Sequence, residues 1–305
     1  MTQKRIEMKE NVWLHISKIK EEDFEYLQQN FKFHHLDYDD IRAKTTLSKI
    51  DSYKHYLFFT FHIPVWISKS PRVVENELFI FLDQGNVVTL TREPIKAIDE
   101  FFEKLEKNQK FRANILAKGS AFLMYRILMV AFQQTSQIIS ELTHEFAKLE
   151  DEISSRHDKK LTVDLGRTRR NILFLRHIIG PQKNIIVSLI EIERPFLPKD
   201  YTVYFDDLRD LLDTVWSTSD NLKLLVDGLF DVNEALLSHK TNDVITVLTI
   251  ISASLMVPTL IAGFYGMNVP WLPFAHSANF VSLIFLTSFI LMLLIVTLII
   301  RRPRS

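Results

Sequence analysis

Two long apolar stretches near the C-terminal end constrain this chain more than any other feature of its sequence. The first covers residues 244–264 and the second covers residues 280–300, and neither contains a charged side chain. Each has about 20 residues, the length that a helix needs to cross the hydrocarbon core of a bilayer. Buried helices in the core of a soluble protein rarely include two adjacent uncharged stretches of this length. The sequence therefore predicts two transmembrane helices.

The charges that flank these stretches predict the orientation. Lys240 precedes the first stretch, residues 265–279 between the stretches contain no Lys or Arg, and arginines follow the second stretch at Arg301, Arg302 and Arg304. By the positive-inside rule we expect a multi-pass protein of the cell inner (plasma) membrane with both termini in the cytoplasm. Residues 1–15 are charged and lack the apolar core of a secretory signal, which agrees with a cytoplasmic N-terminal domain.

The composition limits which partners and metal ligands this chain can have. Lys plus Arg and Asp plus Glu number 37 each, so there is no basic excess to neutralise phosphates, and we expect no nucleic-acid partner. Cysteine is absent, which excludes disulfides and thiolate metal sites. A metal ion must therefore be held by oxygen or by histidine, and hard cations such as magnesium prefer oxygen.

Residues 1–120 have the pattern of a mixed α/β domain. Short aromatic and β-branched runs predict strands, a Gly-Asn pair predicts a hairpin turn, and amphipathic segments predict helices. The predicted strands are 56–63, 77–82 and 87–90, the turn is 83–86, and the helices are 21–29 and 95–106.

From residue 121 onward the strand signals stop. Long helices are predicted at 120–157, at 164–192 with a kink or break at Gly180-Pro181, and from near Tyr201 into the membrane. The prediction is thus an α+β membrane protein with a cytoplasmic α/β domain (1–120), a helical stalk (121–241) and a pore region (242–305).

The last of these helices shows a heptad pattern. Apolar residues alternate at steps of three and four, and Thr218 fills one gap. Self-association of this helix is favoured over packing on its own chain. The predicted seam is Leu208, Leu211, Val215, Leu222, Leu225, Leu229, Val232 and Leu236.

The first apolar stretch ends in Tyr265-Gly266-Met267-Asn268, and Thr241-Asn242-Asp243-Val244 precedes it. Together with the helical stalk and the two C-terminal spans, these motifs resemble the CorA family of magnesium and divalent-cation channels. The resemblance is close over residues 204–268 and architectural over residues 1–200.

The resemblance implies a selectivity filter at Gly266, Met267 and Asn268, with Asn268 as the metal-contacting residue. Magnesium gives up its water reluctantly, so a ring of carbonyl and amide oxygens can select the hydrated ion. The amide oxygen of Asn268 is such an acceptor, although Asn at this place is also a common helix C-cap.

The resemblance also implies a homopentamer whose pore is lined by the first span. Met256 and Leu248 would form apolar constrictions that gate by dewetting. The implied lining is Asn242, Ile245, Leu248, Thr249, Ser252, Met256, Thr259 and Gly263.

Two departures from the family pattern bear on regulation. The outer loop after Asn268 has no acidic residue. Asp207 resembles one member of the family's regulatory magnesium site, but its acidic partner is missing from residues 64–70, and Glu75 and Glu77 are the nearest acids.

The expected function is passive transport of magnesium, with cobalt or nickel as further ions, through a homo-oligomeric pore in the lipid bilayer. Magnesium is both the transported ion and the candidate regulator. Alternatives are a zinc transporter of the ZntB type and a membrane-anchored sensor without a pore. The sequence contains no Gly-rich phosphate loop and no nucleophile elbow, so we expect that the protein is not an enzyme.

Two further clusters have residues that can bind metals. The first is His34-His35 with Asp37, Asp39 and Asp40, and we interpret it as a solvated loop entering a helix. The second is Glu141, His144 and Glu145 on one helix face, which we interpret as surface.

Overall fold

The computed structural model describes residues 3–8, 10–43, 47–153, 159–194, 196–198, 200–267, 269 and 277–301. These residues form two compact units, Met1–Phe230 and Asp231–Ser305. The predicted division at residues 120 and 241 is a different partition and stays a prediction. The elements in chain order are β1 (Gln3–Met8), β2 (Asn11–Ser17), α1 (Glu21–Asn30), α2 (His35–Arg42), β3 (Lys49–Ser52), β4 (Leu57–Ile67), β5 (Arg72–Leu82), β6 (Asn86–Thr91), α3 (Lys96–Lys107), α4 (Gln109–Leu116), α5 (Ser120–Ile153), α6 (Lys159–Glu191), α7 (Thr202–Tyr265) and α8 (Ala278–Arg301).

The strands form one sheet in the order β1-β2-β6-β5-β4-β3. Only the β2–β6 pair is parallel among the described strands. The predicted strands and the hairpin between β5 and β6 are present. In the hairpin turn, Asp83 Oδ1 accepts the N–H groups of Gly85 and Asn86 at 2.9 and 2.6 Å. A Cβ on Gly85 would lie 2.4 Å from the carbonyl oxygen of Glu10, so this close approach requires glycine.

Strands β1, β2 and β3 and helices α2 and α4 were not predicted. The alternation in β1 is masked by charged residues, and β3 is only four residues long, so neither gives a clear apolar signal. Helices α1 and α2 pack on one face of the sheet through an aromatic core. That core includes Phe24, Tyr38, Tyr56, Phe58 and Phe81.

The buried His15 joins β2 to α3. Its Nε2 lies 3.0 Å from Asp99 Oδ1, and its Nδ1 lies 2.8 Å from Thr89 Oγ1. The indole N–H of Trp13 donates to the same Thr89 oxygen at 2.9 Å. The hydrogen bond from His15 is the main reason that the pKa of Asp99 lies below its ordinary value.

Replacing Asp99 by Asn should destabilise the fold by about 1 to 3 kcal/mol at neutral pH. A carboxylate whose pKa is lowered on folding stabilises the fold above its unfolded pKa, 3.8, and that stability is lost as pH falls through the folded pKa. The wild-type protein and Asp99→Asn should therefore converge in acid. Thermal unfolding in detergent from about pH 3 to about pH 8 measures this, with the exposed Glu106→Gln as control. A difference that persists at low pH would contradict the assignment.

Helix α6 runs without interruption through Gly180-Pro181, so the predicted break is wrong. Tertiary contacts offset the backbone bond that proline loses. Gln182, one residue on, donates to the carbonyl oxygens of His62 and Ile178. Gly180 lies against Trp216 of α7, where a Cβ on the glycine would be 3.1 Å from Trp216 Cζ3.

Helices α6 and α7 run antiparallel and are joined by a regular series of ion pairs. The bases are on α6 and the acids are on α7, each set spaced by seven residues. The pairs are Arg169–Asp227 (2.8 Å), Arg176–Asp220 and Lys183–Asp213 (2.5 Å). The charges of Arg176 and Lys183 also lie over the Trp216 ring, at 4.8 and 5.4 Å from its centroid.

The seam of α7 has the predicted heptad period but not all of the predicted residues. Leu225 and Val232 are 52% and 48% exposed. Positions one residue further along are buried instead, since the helix packs on its own chain. The buried set is Leu208, Leu212, Val215, Ser219, Leu222, Val226, Leu229 and Asn233.

Candidate functional site

The C-terminal half of α7 is the part of the described chain best suited to cross a membrane. It contains an 18-residue window with the length and apolar character of a span, and none of that window is buried. Helix α8 has a shorter apolar segment, Asn279–Leu294. The first predicted span is therefore confirmed as a suitable helix. The second lies within the 24-residue helix α8, and its crossing of the membrane stays a prediction.

One face of this part of α7 packs against α8. Ile250, Ser254, Pro258 and Ile261 are half-buried at spacings of four, four and three residues. A cavity of about 250 Å³ lies between the two helices, and Ser254 of α7 and Ser288 of α8 contribute to its almost entirely apolar lining. The face toward α8 is therefore mainly apolar.

The predicted pore-lining residues lie on the opposite face. Ser252 and Met256 are two positions before and after Ser254, and two positions correspond to about 200° around a helix. Thr249 also borders the cavity toward α8 and so lies at the edge of this set. All eight predicted residues are exposed in the single chain: Asn242, Ile245, Leu248, Thr249, Ser252, Met256, Thr259 and Gly263.

The threonine hydroxyls of this region donate to the backbone of their own helix. Thr249 Oγ1 donates to the carbonyl of Ile245 at 2.8 Å, and Thr259 Oγ1 donates to that of Leu255 at 2.7 Å. A hydroxyl that has donated its hydrogen offers only acceptor lone pairs to its surroundings. Water bound to a cation donates outward, so such hydroxyls match the outer surface of a hydrated cation.

Helix α7 ends at the predicted filter. The N–H of Gly266 donates to the carbonyl of Ala262 at 2.8 Å, and a Cβ on Gly266 would lie 2.9 Å from that oxygen. The last carbonyls of a helix carry partial negative charge, which favours a cation. Met267 is 54% exposed, and Asn268 lies outside the described residues together with the loop 270–276.

Asp207, the candidate regulatory residue, is exposed near the start of α7. Its Oδ2 accepts from the hydroxyl of Tyr125 at 2.7 Å. Burial, followed by this bond, raises the pKa of Tyr125 to about 12. The acids nearest in sequence to residues 64–70 are Glu75 and Glu77, both on β5. Glu75 is exposed, whereas Glu77 is buried and bound by Arg92. Glu75 is thus the freer of the two.

The first additional cluster differs from its sequence interpretation as a solvated loop. Asp37 is fully buried and accepts hydrogen bonds from Tyr53 and Tyr56 at 2.7 and 2.6 Å. It faces inward because α2 begins at His35 and places Asp37 against the sheet. Burial raises the pKa of Asp37.

The structure brings a further carboxylate, from Asp51 of β3, next to this cluster. Oxygens of Asp37, Asp40 and Asp51 lie within 4.8 Å of one another. Lys49 Nζ lies 2.5 Å from Asp40 and 2.6 Å from Asp51, so an ammonium group already supplies the positive charge. Sequence analysis missed Lys49 and Asp51 because no motif links them to α2.

The second additional cluster agrees with its surface interpretation at Glu141 and His144, which are exposed. Glu145 is half-buried, accepts from Thr168 Oγ1 at 3.4 Å, and has a pKa raised by burial.

Comparison with known proteins places this geometry in a family. The family model described as "CorA-like Mg2+ transporter protein" matches residues 8–302. The cobalt/magnesium transport protein CorA of Thermotoga maritima is 27% identical over 263 residues, which cover 86% of this chain and 74% of that protein.

Solved structures share the fold. The complete structure of the CorA magnesium transporter from Methanocaldococcus jannaschii aligns with a TM-score of 0.81 at 20% identity, covering 98% of this chain and 93% of that one. The ZntB cytoplasmic domain from Vibrio parahaemolyticus aligns with a TM-score of 0.61 at 15% identity, covering 76% of this chain and 90% of that one. Since the family model spans nearly the whole sequence, the chain belongs to the CorA-like Mg2+ transporter family.

Proposed function

We propose that this protein lets magnesium cross a membrane passively, as a hydrated ion, through a pore lined by the C-terminal half of α7. The observation that carries the proposal is the division of this helix into two faces. One face packs on α8, and the opposite face is exposed and includes Ser252 and Thr259. A polar face in a membrane is costly unless it lines water or protein.

Self-association completes the pore. A single exposed face encloses nothing, so several copies must turn this face toward a common axis. The family resemblance favours a homopentamer, in which Asn268, Met267 and Gly266 would form rings of five at the outer end. Met256 and Leu248 would form dewettable apolar rings. Asn242 would offer amide oxygens at the cytoplasmic end, and Asp207 would be the site of regulation by internal magnesium.

No energy-coupling motif is required for uptake. A divalent ion that crosses about 100 mV gains about 4.6 kcal/mol, twice the value for a single charge. At about 1.4 kcal/mol for each factor of ten, that energy sustains a gradient of about three decades.

We propose that the protein lies in the inner (plasma) membrane and crosses it twice. Both termini would then lie in the cytoplasm. The chain has no natural cysteine. Single cysteines introduced at Ser277 and Ser305 should therefore react with an impermeant maleimide from opposite sides of the membrane. Reaction of both from the same side would exclude the two-span arrangement.

Uptake into liposomes that contain the purified protein tests the function. Magnesium should enter, and zinc should enter more slowly if the protein belongs to the magnesium branch.

Met256→Ala should raise basal flux and weaken inhibition by internal magnesium, because a wider apolar ring wets more easily. Val257→Ala, which alters the face toward α8, is the matched control. Liposomes that remain impermeable would favour a sensor without a pore, and unchanged flux in Met256→Ala would remove Met256 as the gate.

A further inference from the structure

A second site lies in the first unit, apart from the proposed conduction path. Helices α3, α4 and α5 line a cavity of about 550 Å³ that is open to solvent. This volume is within the range of about 300 to 1,000 Å³ typical of small-molecule sites.

The cavity has an excess of positive charge. Lys96, Lys104 and Arg126 line it, against the single acid Glu100, which is exposed and 3.5 Å from Lys96. Arg126 Nε is buried without a hydrogen-bond partner. Among the residues that the structure describes, no carboxylate forms an ion pair with Arg126. The charge of Arg126 at the cavity wall therefore favours an anionic ligand.

The first turn of α3 borders the same cavity. Lys96 and Ala97 are its first residues, and its N-cap, Ile95, has no side chain able to cap the helix. The N–H groups of Ile98 and Asp99 bond to the Ile95 carbonyl, whereas those of Lys96 and Ala97 have no acceptor in the described part of the chain. Free N–H groups and the helix dipole together favour a phosphate at this position.

The remaining walls suit an organic group. Phe101 and Phe111 lie on one side, and Lys104 Nζ is 4.9 Å from the centre of the Phe111 ring. Gln133 and Gln137 of α5 contribute amides that can both donate and accept. Aromatic side chains beside amide groups match a heterocycle with polar edges.

We propose that this cavity binds a nucleoside phosphate, with the phosphates near the first turn of α3 within reach of Lys96, Lys104 and Arg126 and the base toward the phenylalanines and glutamines. The site is separate from the ion path, so binding does not depend on the transport proposal.

Calorimetric titration of the full-length protein in detergent, with ADP as the probe and EDTA present, tests the site. ADP should bind more tightly than inorganic pyrophosphate, which lacks the nucleoside, and more tightly than adenosine, which lacks the phosphates. Lys104→Gln should weaken ADP binding at least about tenfold, or about 1.4 kcal/mol. Lys107→Gln is the matched control, because Lys107 is exposed on the same helix and pairs with Glu103 at 3.0 Å.

Arg126→Gln should weaken binding further, with thermal unfolding to show that it folds. Because Lys104 is exposed, its variant keeps the test valid if Arg126→Gln does not fold. Absence of ADP binding, or equal affinity in Lys104→Gln and Lys107→Gln, would overturn the proposal. Equal affinity for pyrophosphate and ADP would overturn the nucleoside part and leave a simple anion site.

Discussion

Replacing Asn268 by Ala should abolish magnesium uptake while leaving the protein assembled in the membrane. Each amide that accepts from the hydrated ion contributes about 1 kcal/mol net. In the proposed pentamer five amides are lost together, about 5 kcal/mol, which corresponds to more than three decades in ion occupancy. The fold should survive, because the change removes one short polar side chain at a helix end.

Liposome uptake measures the loss of magnesium transport, and gel filtration measures whether the protein is still assembled. Asn279→Ala makes the same chemical change at the exposed start of α8 and should transport normally. Normal uptake by Asn268→Ala would remove Asn268 from the filter. Loss of uptake in both variants would point to the packing of the loop rather than to ion selection.

Replacing Asp37 by Ala should destabilise the first unit by about 2 to 5 kcal/mol, because two tyrosine hydroxyls lose their charged acceptor, at about 1 to 3 kcal/mol each. The hydroxyls of Tyr53 and Tyr56 both donate to Asp37, and the Tyr56 oxygen also accepts from the N–H of His34. Without Asp37, the buried hydroxyl of Tyr56 and the partly buried hydroxyl of Tyr53 lose their acceptor, and α2 loses its polar link to the segment between β3 and β4.

The matched control lies on the same helix. Asp39 is exposed, with Arg42 at 3.9 Å as its ion-pair partner, and Asp39→Ala should change stability by less than about 0.5 kcal/mol. Chemical denaturation of the detergent-solubilised protein measures both. Similar losses in the two variants would show that the fold does not depend on burial of Asp37.

Asp37 also illustrates what the sequence could not predict. A run of two histidines and three aspartates has the composition of a solvated loop, and its partners Tyr53 and Tyr56 come from another element. Burial of a polar residue depends on which distant groups satisfy it, and local composition does not contain that information. In contrast, β4, β5 and β6 were predictable, because buried strands require long apolar runs.

The exposed face of the C-terminal half of α7 was predictable to a similar extent. A spacing of three and four residues is sufficient to place Leu248, Ser252, Met256 and Thr259 on one helix face. The α7 seam shows the limit of the same method. Its period was correct, but several positions were displaced by one residue. Leucines on both sides of the true seam made the two assignments almost equivalent in sequence, and packing against α6 decided between them.

The heptad spacing of the α6–α7 ion pairs has a consequence for how the two helices find their alignment. If α6 slid by seven residues along α7, Arg169 would meet Asp220, Arg176 would meet Asp213 and Lys183 would meet Asp206, so all three bridges could form again. The salt bridges therefore tolerate several alignments. Gly180 removes this ambiguity, because a slide in either direction would bring Leu173 or Val187 beneath Trp216, where only a hydrogen atom fits without displacement. The buried seam holds the pair together, and one glycine sets its position along the stalk.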